Sequence, residues 1–177
     1  MTPGRIDPMI SSPASRLCEQ CGMCCNGVLF LLVQLQPQDL PVELASLGVK
    51  LKRKNGKRYI QQPCPAYGDS GCSIYSQRPE RCRLFECRQL RGVISGSIPE
   101  SDAVTAIQKA VKQVETIEQL FSELGDTNKK RPYLKRLEKV QAKPVDRSAD
   151  PKTAALRSKL ETASKELESM LDQGFRV

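Results

Sequence analysis

Cysteine is the residue type in this sequence that is best suited to chemistry. The 177-residue chain contains eight cysteines, and all of them fall between positions 18 and 87. Thiolates are soft ligands, and a spacing of two residues lets one turn of backbone present two sulfurs to a metal ion. We therefore predict a metal or iron–sulfur centre, for which the candidate ligands are Cys18, Cys21, Cys24, Cys25, Cys64, Cys72, Cys82 and Cys87.

The absence of histidine narrows the chemistry further. It excludes Cys₂His₂ fingers, Rieske centres, histidine-based hydrolytic zinc sites and Ser–His or Cys–His nucleophile pairs. Zinc and iron both accept four thiolates, so the ligand type does not separate them. Eight sulfurs suffice for two four-cysteine sites, a sulfur-bridged pair of zinc ions, or a cluster with spare cysteines. We predict no catalytic residue, and a metal-binding protein rather than an enzyme.

Two local geometries fit the run from Cys18 to Cys25. Gly22 directly after Cys21 is typical of a metal-binding knuckle, in which backbone amides approach the sulfur. If the run is helical instead, its four sulfurs fall within about 120° of one helix face. In that case they would line one side of two adjacent sites, and the four later cysteines would approach from the opposite side.

The second group of cysteines raises a geometric question of its own. Pro79 predicts the start of a helix that runs to about Arg91, before Gly92. Within one regular helix Cys82 and Cys87 would lie about 140° apart. Either the helix deforms between them, or the two sulfurs serve different metals.

The elements between the two cysteine groups are short. Residues 28–35 form an apolar run that predicts a buried strand, and residues 37–48 predict a short helix with Leu40, Leu44 and Leu47 on one face. Asn55-Gly56 between two runs of strand-forming residues predicts a two-residue β-hairpin. The hairpin carries six basic residues, which we interpret as a solvated edge protected by lysine.

The C-terminal half predicts amphipathic helices. Ser97 and Glu100 predict a capping box, followed by an apolar seam of Ala103, Ile107, Ala110, Val114, Ile117, Phe121 and Leu124. A short helix follows Pro132, with Leu134, Leu137 and Val140. A third helix begins at Asp150-Pro151 and presents Leu156, Leu160, Ala163, Leu167 and Met170. These stripes predict helix packing, or contact with a protein partner or a second copy.

The predicted fold class is mainly α with a small β-hairpin. A flexible lead-in covers residues 1–16, and an irregular metal-stapled domain covers residues 17–95. A helical region covers residues 96–177, with a linker near residues 141–150. The first 95 residues offer only a thin apolar core, and small domains of that kind usually need a staple.

Charge and hydropathy bound the partners and the location. The net charge is +8, and anionic thiolate centres would offset part of it. A nucleic-acid partner is not expected, because the basic hairpin lacks stacking aromatic residues beyond Tyr59. The longest apolar run is too short to cross a bilayer, and residues 1–16 do not read as a secretory signal. We therefore expect a cytoplasmic protein, in which reduced thiols favour metal ligation over disulfides.

The order of the cysteines resembles the CxxCxxCC cysteine-cluster family (YkgJ-type), described as zinc- or iron-chelating. The resemblance rests on the run from Cys18 to Cys25, the Asp39-Leu40 pair, and the phrase from Cys64 to Cys87 that contains Ile-Tyr-x-x-Arg-Pro-x-x-Cys. Glu86 departs from the family pattern, in which proline is common. The resemblance implies thiolate chelation of zinc or iron in a structural or metal-handling role. The alternative is an iron–sulfur redox protein or oxidoreductase subunit.

The resemblance also directs attention to five residues around the cysteines. Arg78 and Arg83 are candidates for hydrogen bonds to anionic sulfur, with surface solvation as the alternative. Tyr75 and Phe85 are predicted to shield the centre. Asp39 is predicted to cap its own helix rather than to bind metal.

Overall fold

A computed structural model of the chain describes residues 12–68, 70–142, 144 and 150–177. The fold is mainly helical with two small antiparallel sheets, which confirms the predicted fold class. The elements are α1 (Pro13–Cys21), β1 (Leu32–Gln34), α2 (Pro41–Ser46), β2 (Leu51–Lys54), β3 (Lys57–Gln61), β4 (Tyr67–Gly68), β5 (Gly71–Cys72), α3 (Glu80–Leu84), α4 (Arg88–Ile94), α5 (Glu100–Glu123), α6 (Tyr133–Ala142) and α7 (Pro151–Gly174).

Helix α1 ends in the middle of the first cysteine run. Gly22 has a φ of 60°, in the left-handed region, and its amide donates to the carbonyl of Cys18. The amide of Cys25 then donates to the carbonyl of Gly22, 2.8 Å away, which forms a turn. The run is therefore helical only as far as Cys21, so the fully helical alternative is wrong. Of the predicted flexible lead-in, residues 1–11 lie outside the described residues, and Pro13 onward belongs to α1.

The larger sheet has the strand order β1–β3–β2, with both pairings antiparallel. Asn55 and Gly56 have φ values of 50° and 73°, so the predicted two-residue hairpin is confirmed. The strand predicted over residues 28–35 contains only three residues, Leu32–Gln34. The residues before it are engaged elsewhere, since the amide of Leu29 donates to the carbonyl of Met23.

Helix α2 is shorter than predicted and buries less. Leu44 is buried, whereas Leu40 is 56% exposed and Leu47 is 38% exposed. Leu40 and Leu47 lie just outside the six-residue helix, and for this reason they do not share its buried face.

The helix predicted from Pro79 to about Arg91 is two helices. Phe85 is extended, with φ −73° and ψ 124°, and Cys87 is the N-cap of α4. Gly92 lies inside α4 instead of ending the helix. A Cβ built on it would be 2.4 Å from Cδ1 of Ile98, so glycine is needed there for close packing. The break occurs without the proline that is common, before the last cysteine, in the family that the sequence resembles.

The long helices α5 and α7 pack against each other, and α1 packs on α5. Most of the predicted α5 seam is buried, together with Leu120, which the seam omitted; Val114 and Leu124 are half-buried. The predicted capping box is absent. Ser97 donates to the carbonyl of Gly92, and Glu100 forms a salt bridge with Arg16, with an N–O distance of 2.8 Å.

The buried face of α6 differs from the prediction, because Arg136 lies at its centre. Its side chain is 2% exposed, and its Nε donates to Oδ1 of Asp126, 3.0 Å away. Its Nη1 donates to Glu118, and its guanidinium carbon lies 4.3 Å from the centroid of the Phe121 ring. Leu134 and Leu137 are only partly buried. In α7 the predicted stripe is buried at three of its five residues, Leu156 and Met170 being half-buried.

Two clusters of buried apolar side chains form in the described ranges, and they share no residue. The larger cluster defines what we call the helical core, formed by α1, α4, α5, α6 and α7. The smaller cluster lies in what we call the sheet lobe, residues 32–77 apart from 69, and contains Leu35, Leu44, Val49, Ile60, Ala66 and Ile74. No helix in the described ranges combines the length and apolar character needed to span a bilayer. The predicted linker near 141–150 falls largely outside the described residues.

Candidate metal centre

All eight cysteines line a single cavity. Its volume is about 480 Å³, and much of its wall is apolar. Cys21 and Cys87 also pack against the helical core, whereas Cys64 and Cys72 pack against the apolar cluster of the sheet lobe. The cavity therefore lies where the two parts of the molecule meet.

Six short pieces of backbone supply the thiols. Cys18 and Cys21 lie on the last turn of α1, and Cys24 and Cys25 follow in the turn after Gly22. Cys64 follows β3, and Cys72 ends β5. Cys82 lies on α3, and the break before α4 places Cys87 outside that helix. The helical break thus accounts for the five-residue spacing that a regular helix does not accommodate.

Gly22 is held in place by an aromatic neighbour that the sequence did not single out. A Cβ built on Gly22 would lie only 1.8 Å from Oη of Tyr67. Tyr67 lines the cavity, and its pKa is raised, first by burial and then by the charges of Cys25 and Cys21. The phenol therefore covers the turn that joins the two pairs of N-terminal cysteines.

We expect Gly22→Ala to reduce the stability of the protein markedly. A left-handed backbone costs a non-glycine residue about 1–2 kcal/mol, and the displacement of Tyr67 adds to that cost. Urea unfolding measures the change. Gly48→Ala is the matched control, because Gly48 also has a positive φ (82°) but has open space around its Cβ position. A loss no larger than that of the control would show that the contact with Tyr67 is unimportant.

Burial and mutual repulsion make these thiols difficult to ionise. Burial, opposed by a backbone hydrogen bond and reinforced by the charges of Cys87 and Cys18, raises the pKa of Cys21 to about 12. Burial and the charges of Cys72, Cys64 and Cys82 raise the pKa of Cys25 to about 12. Burial raises the pKa of Cys82 to about 11. A metal ion that bound these sulfurs would supply positive charge against this repulsion and would release their protons.

The charged neighbours of the thiols whose pKa is raised fall into two groups. Burial raises the pKa of Cys24 well above its usual value, with additional repulsion from Cys21, Cys25, Cys18 and Cys87. Cys18 is exposed as a residue, but desolvation of its sulfur and the charge of Cys87 raise its pKa. In the other group, burial raises the pKa of Cys64, and its charged neighbour there is Cys72. The links across the groups are those of Cys25 with Cys24 and Cys18.

The cavity is a collection of candidate ligands rather than a closed coordination shell. Within the described ranges no three cysteine, aspartate or glutamate side chains are placed to hold one ion. Two fully buried oxygens of the wall nevertheless find no hydrogen-bond partner among the described residues, Oε1 of Gln62 and Oε2 of Glu80. Gln62 as a whole is 3% exposed. Buried polar atoms are normally paired, so orphaned acceptors beside eight thiols fit a cavity that takes up a cation.

Asp39 caps a helix, but not the one predicted. One carboxylate oxygen, Oδ2, accepts from the amide of Gln36 at 2.7 Å within the local turn. The other, Oδ1, accepts from the amide of Glu80 at 2.8 Å. Glu80 is the first residue of α3, and α3 carries Cys82. Asp39 therefore fixes the helix of a candidate ligand that lies far away in the sequence.

We expect Asp39→Ala to lower the unfolding free energy by about 1–2 kcal/mol, the upper range for loss of a helix cap. The mutation leaves two amides without an acceptor, at the start of α3 and in the turn before α2. Urea unfolding at neutral pH measures this loss of unfolding free energy. Gln38→Ala, which changes the exposed neighbour of Asp39, is the control. Equal stability of the two variants would contradict the capping role.

Of the residues expected to surround the centre, Arg78, Tyr75 and Phe85 line the cavity. The guanidinium carbon of Arg78 lies 3.5 Å from the centroid of the Tyr75 ring, and its charge lowers the pKa of Cys18 and Cys82 against the larger effect of burial. Phe85 packs edge-on against Phe30, with ring centroids 4.8 Å apart, and both line the cavity. Arg83, by contrast, is exposed and does not line the cavity, in keeping with surface solvation.

Sequence reasoning missed Tyr67, Gln62 and Glu80. Their spacing relative to the cysteines carries no signal, because each reaches the cavity through the tertiary fold. Proximity in sequence to Cys64 and Cys82 is the one hint for Gln62 and Glu80.

A comparison with known families bears on this cavity. The profile of the CxxCxxCC family, whose description is "Putative zinc- or iron-chelating domain", matches residues 17–119, more than half of the chain. The chain belongs to the CxxCxxCC family. Membership confirms the resemblance and supports metal binding in general. The CxxCxxCC match contains all eight cysteines and extends into α5. No curated protein and no solved structure matches the chain.

Proposed function

We propose that this protein chelates zinc or iron through the thiolates of its eight cysteines, and that the bound metal fastens the sheet lobe to the helical core. The observation that carries the proposal is the cavity itself. Every cysteine of the chain lines it, and it lies between two apolar clusters that have no residue in common.

The sheet lobe is small enough to need such a staple. Its strands are two to five residues long, and its apolar cluster has six buried residues. Isolated small sheets are marginally stable in water, and units with so little core usually rely on metals or disulfides. All eight cysteines are free thiols. Metal ligation by Cys64 and Cys72, which pack against this cluster, would supply the missing stability.

Elemental analysis of the untagged protein after anaerobic purification tests the proposal. We expect zinc or iron in stoichiometric amount, and its loss when all eight cysteines are replaced by serine. Ser73→Ala and Ser76→Ala, which change neighbouring hydroxyls but no thiol, are controls that should retain the metal. A wild-type protein without stoichiometric metal would contradict the proposal.

The size and lining of the cavity favour an iron–sulfur cluster as the second candidate. A volume of about 480 Å³ exceeds what one bare ion needs, and the wall contains apolar side chains such as Leu29, Phe30 and Val33. Burial of this kind is one of the factors that set the reduction potential of a cluster. Visible absorbance after anaerobic purification, bleached by dithionite, would support this candidate. Colourless protein with stoichiometric zinc would rule it out.

A further inference from the structure

Resting on the proposed function, we infer that the cavity holds two metal centres. Cys18, Cys21, Cys24 and Cys87 are assigned to the first centre, and Cys25, Cys64, Cys72 and Cys82 to the second. The inference is carried by the elements that bear the thiols and by what those elements pack against.

The first set belongs to the helical core. Cys18 and Cys21 share the last turn of α1, and Cys87 precedes α4. Helices α1 and α4 contact each other, and Cys21 and Cys87 pack directly against the helical core. These three thiols therefore approach the cavity from one side.

In the second set, Cys64 and Cys72 belong to the sheet lobe, and Cys25 and Cys82 are linked to that lobe by backbone contacts. Cys64 and Cys72 pack against its apolar cluster, and the amide of Cys64 donates to the carbonyl of Cys25, 2.8 Å away. Cys82 lies on α3, which contacts β1, and Asp39 of the sheet lobe caps α3. Cys64 and Cys72 therefore approach the cavity from the sheet lobe, and the backbone contacts of Cys25 and α3 hold the other two cysteines of the set beside that lobe.

Two pairs of cysteines that are close in sequence divide between the sets. Cys24 and Cys25 are neighbours in the turn after Gly22. This turn packs within the helical core, since Met23 and Val28 on either side belong to its cluster, while the carbonyl of Cys25 accepts from the amide of Cys64 in the sheet lobe. Cys82 and Cys87 are separated by the break at Phe85, and this break returns the chain to the helical core. Each boundary between the sets therefore coincides with a backbone irregularity that the structure displays.

The cavity has room for two centres. Its volume of about 480 Å³ is many times the share of about 30 Å³ that one water molecule occupies in the liquid. A single four-thiolate ion would leave four thiols of the same wall without a partner.

Metal content of the full chain tests the inference. We expect Cys21→Ser, from the first set, and Cys72→Ser, from the second, each to retain half of the wild-type metal per chain. The double variant should retain none. Complete loss of metal in both single variants would overturn the separate ligand sets, and so would a wild-type content of one ion per chain.

Titration of metal-free, reduced wild-type protein with Co²⁺ avoids any dependence on how the variants fold. Thiolate-to-cobalt charge-transfer absorbance should rise until two equivalents have been added, and a sharp end point at one equivalent would overturn the inference. One equivalent would leave the proposed function intact, because the protein would still chelate metal. Absence of thiolate charge-transfer absorbance would overturn both.

Discussion

Removal of the bound metal is expected to unfold the sheet lobe while the helical core stays folded. Structural zinc contributes about 10–16 kcal/mol of folding free energy in small zinc domains. The six buried apolar residues of the sheet lobe contribute far less, because the entropy cost of ordering the lobe opposes their burial. The helical core retains seventeen buried apolar residues and the packing of α5 on α7. It should therefore survive without the metal.

Hydrogen exchange with and without a chelator distinguishes the two parts. The amides of Tyr59 and Ile60, which lie in β3, should lose protection, whereas those of α5 should keep it. Chelator saturated beforehand with zinc is the control, since it cannot take metal from the protein. Unchanged protection of β3 after complete metal removal would contradict the expectation.

The second large effect concerns the helical core. Asp126→Asn is expected to destabilise the protein by about 3–5 kcal/mol, the range for a buried ion pair that loses one partner. Asp126 is 3% exposed and accepts from Nε of Arg136 and from Nζ of Lys139. Without the charge of Asp126, the carboxylate of Glu118 neutralises the buried guanidinium of Arg136 only in part. Urea unfolding measures the change, with Lys135→Ala, from an exposed pair, as a control expected to cost less than about 1 kcal/mol.

The same carboxylate should make the protein sensitive to acid. Burial raises the pKa of Asp126, but the hydrogen bonds from Lys139 and Arg136 outweigh burial, so its pKa is lowered overall. A lowered folded-state pKa contributes stability above the unfolded value of about 3.9, and this stability is lost as the pH falls toward the folded value. The stability difference between wild type and Asp126→Asn should therefore narrow as the pH falls below about 4. A constant difference down to pH 2 would contradict the assignment.

Local patterns predicted part of the local structure of this chain. The Asn55-Gly56 hairpin and the three C-terminal helices follow from neighbouring residues alone, and the structure contains them. The break at Phe85 was not predictable in this way. It satisfies a tertiary requirement, because the chain must leave α3 and return to the helical core before Cys87.

The candidate site, too, was predictable from neighbouring residues only in part. Residue type and spacing identified the eight cysteines, all of which line the cavity. The cap that Asp39 provides spans 41 residues, so no local motif encodes it. The burial of Gln62 and the position of Tyr67 over Gly22 likewise depend on segments that meet only in the folded chain.

Helix α5 extends beyond the segment that matches the family, and this has a practical consequence for experiments on isolated fragments. Family similarity ends at residue 119, but α5 continues to Glu123 and buries Leu120 and Phe121 beyond that point. Helix α7, which covers α5, lies entirely outside the matched segment. The segment that matches the family is therefore shorter than the segment that packs together as one folded unit. A fragment trimmed to the family match would expose the inner side of α5 to solvent.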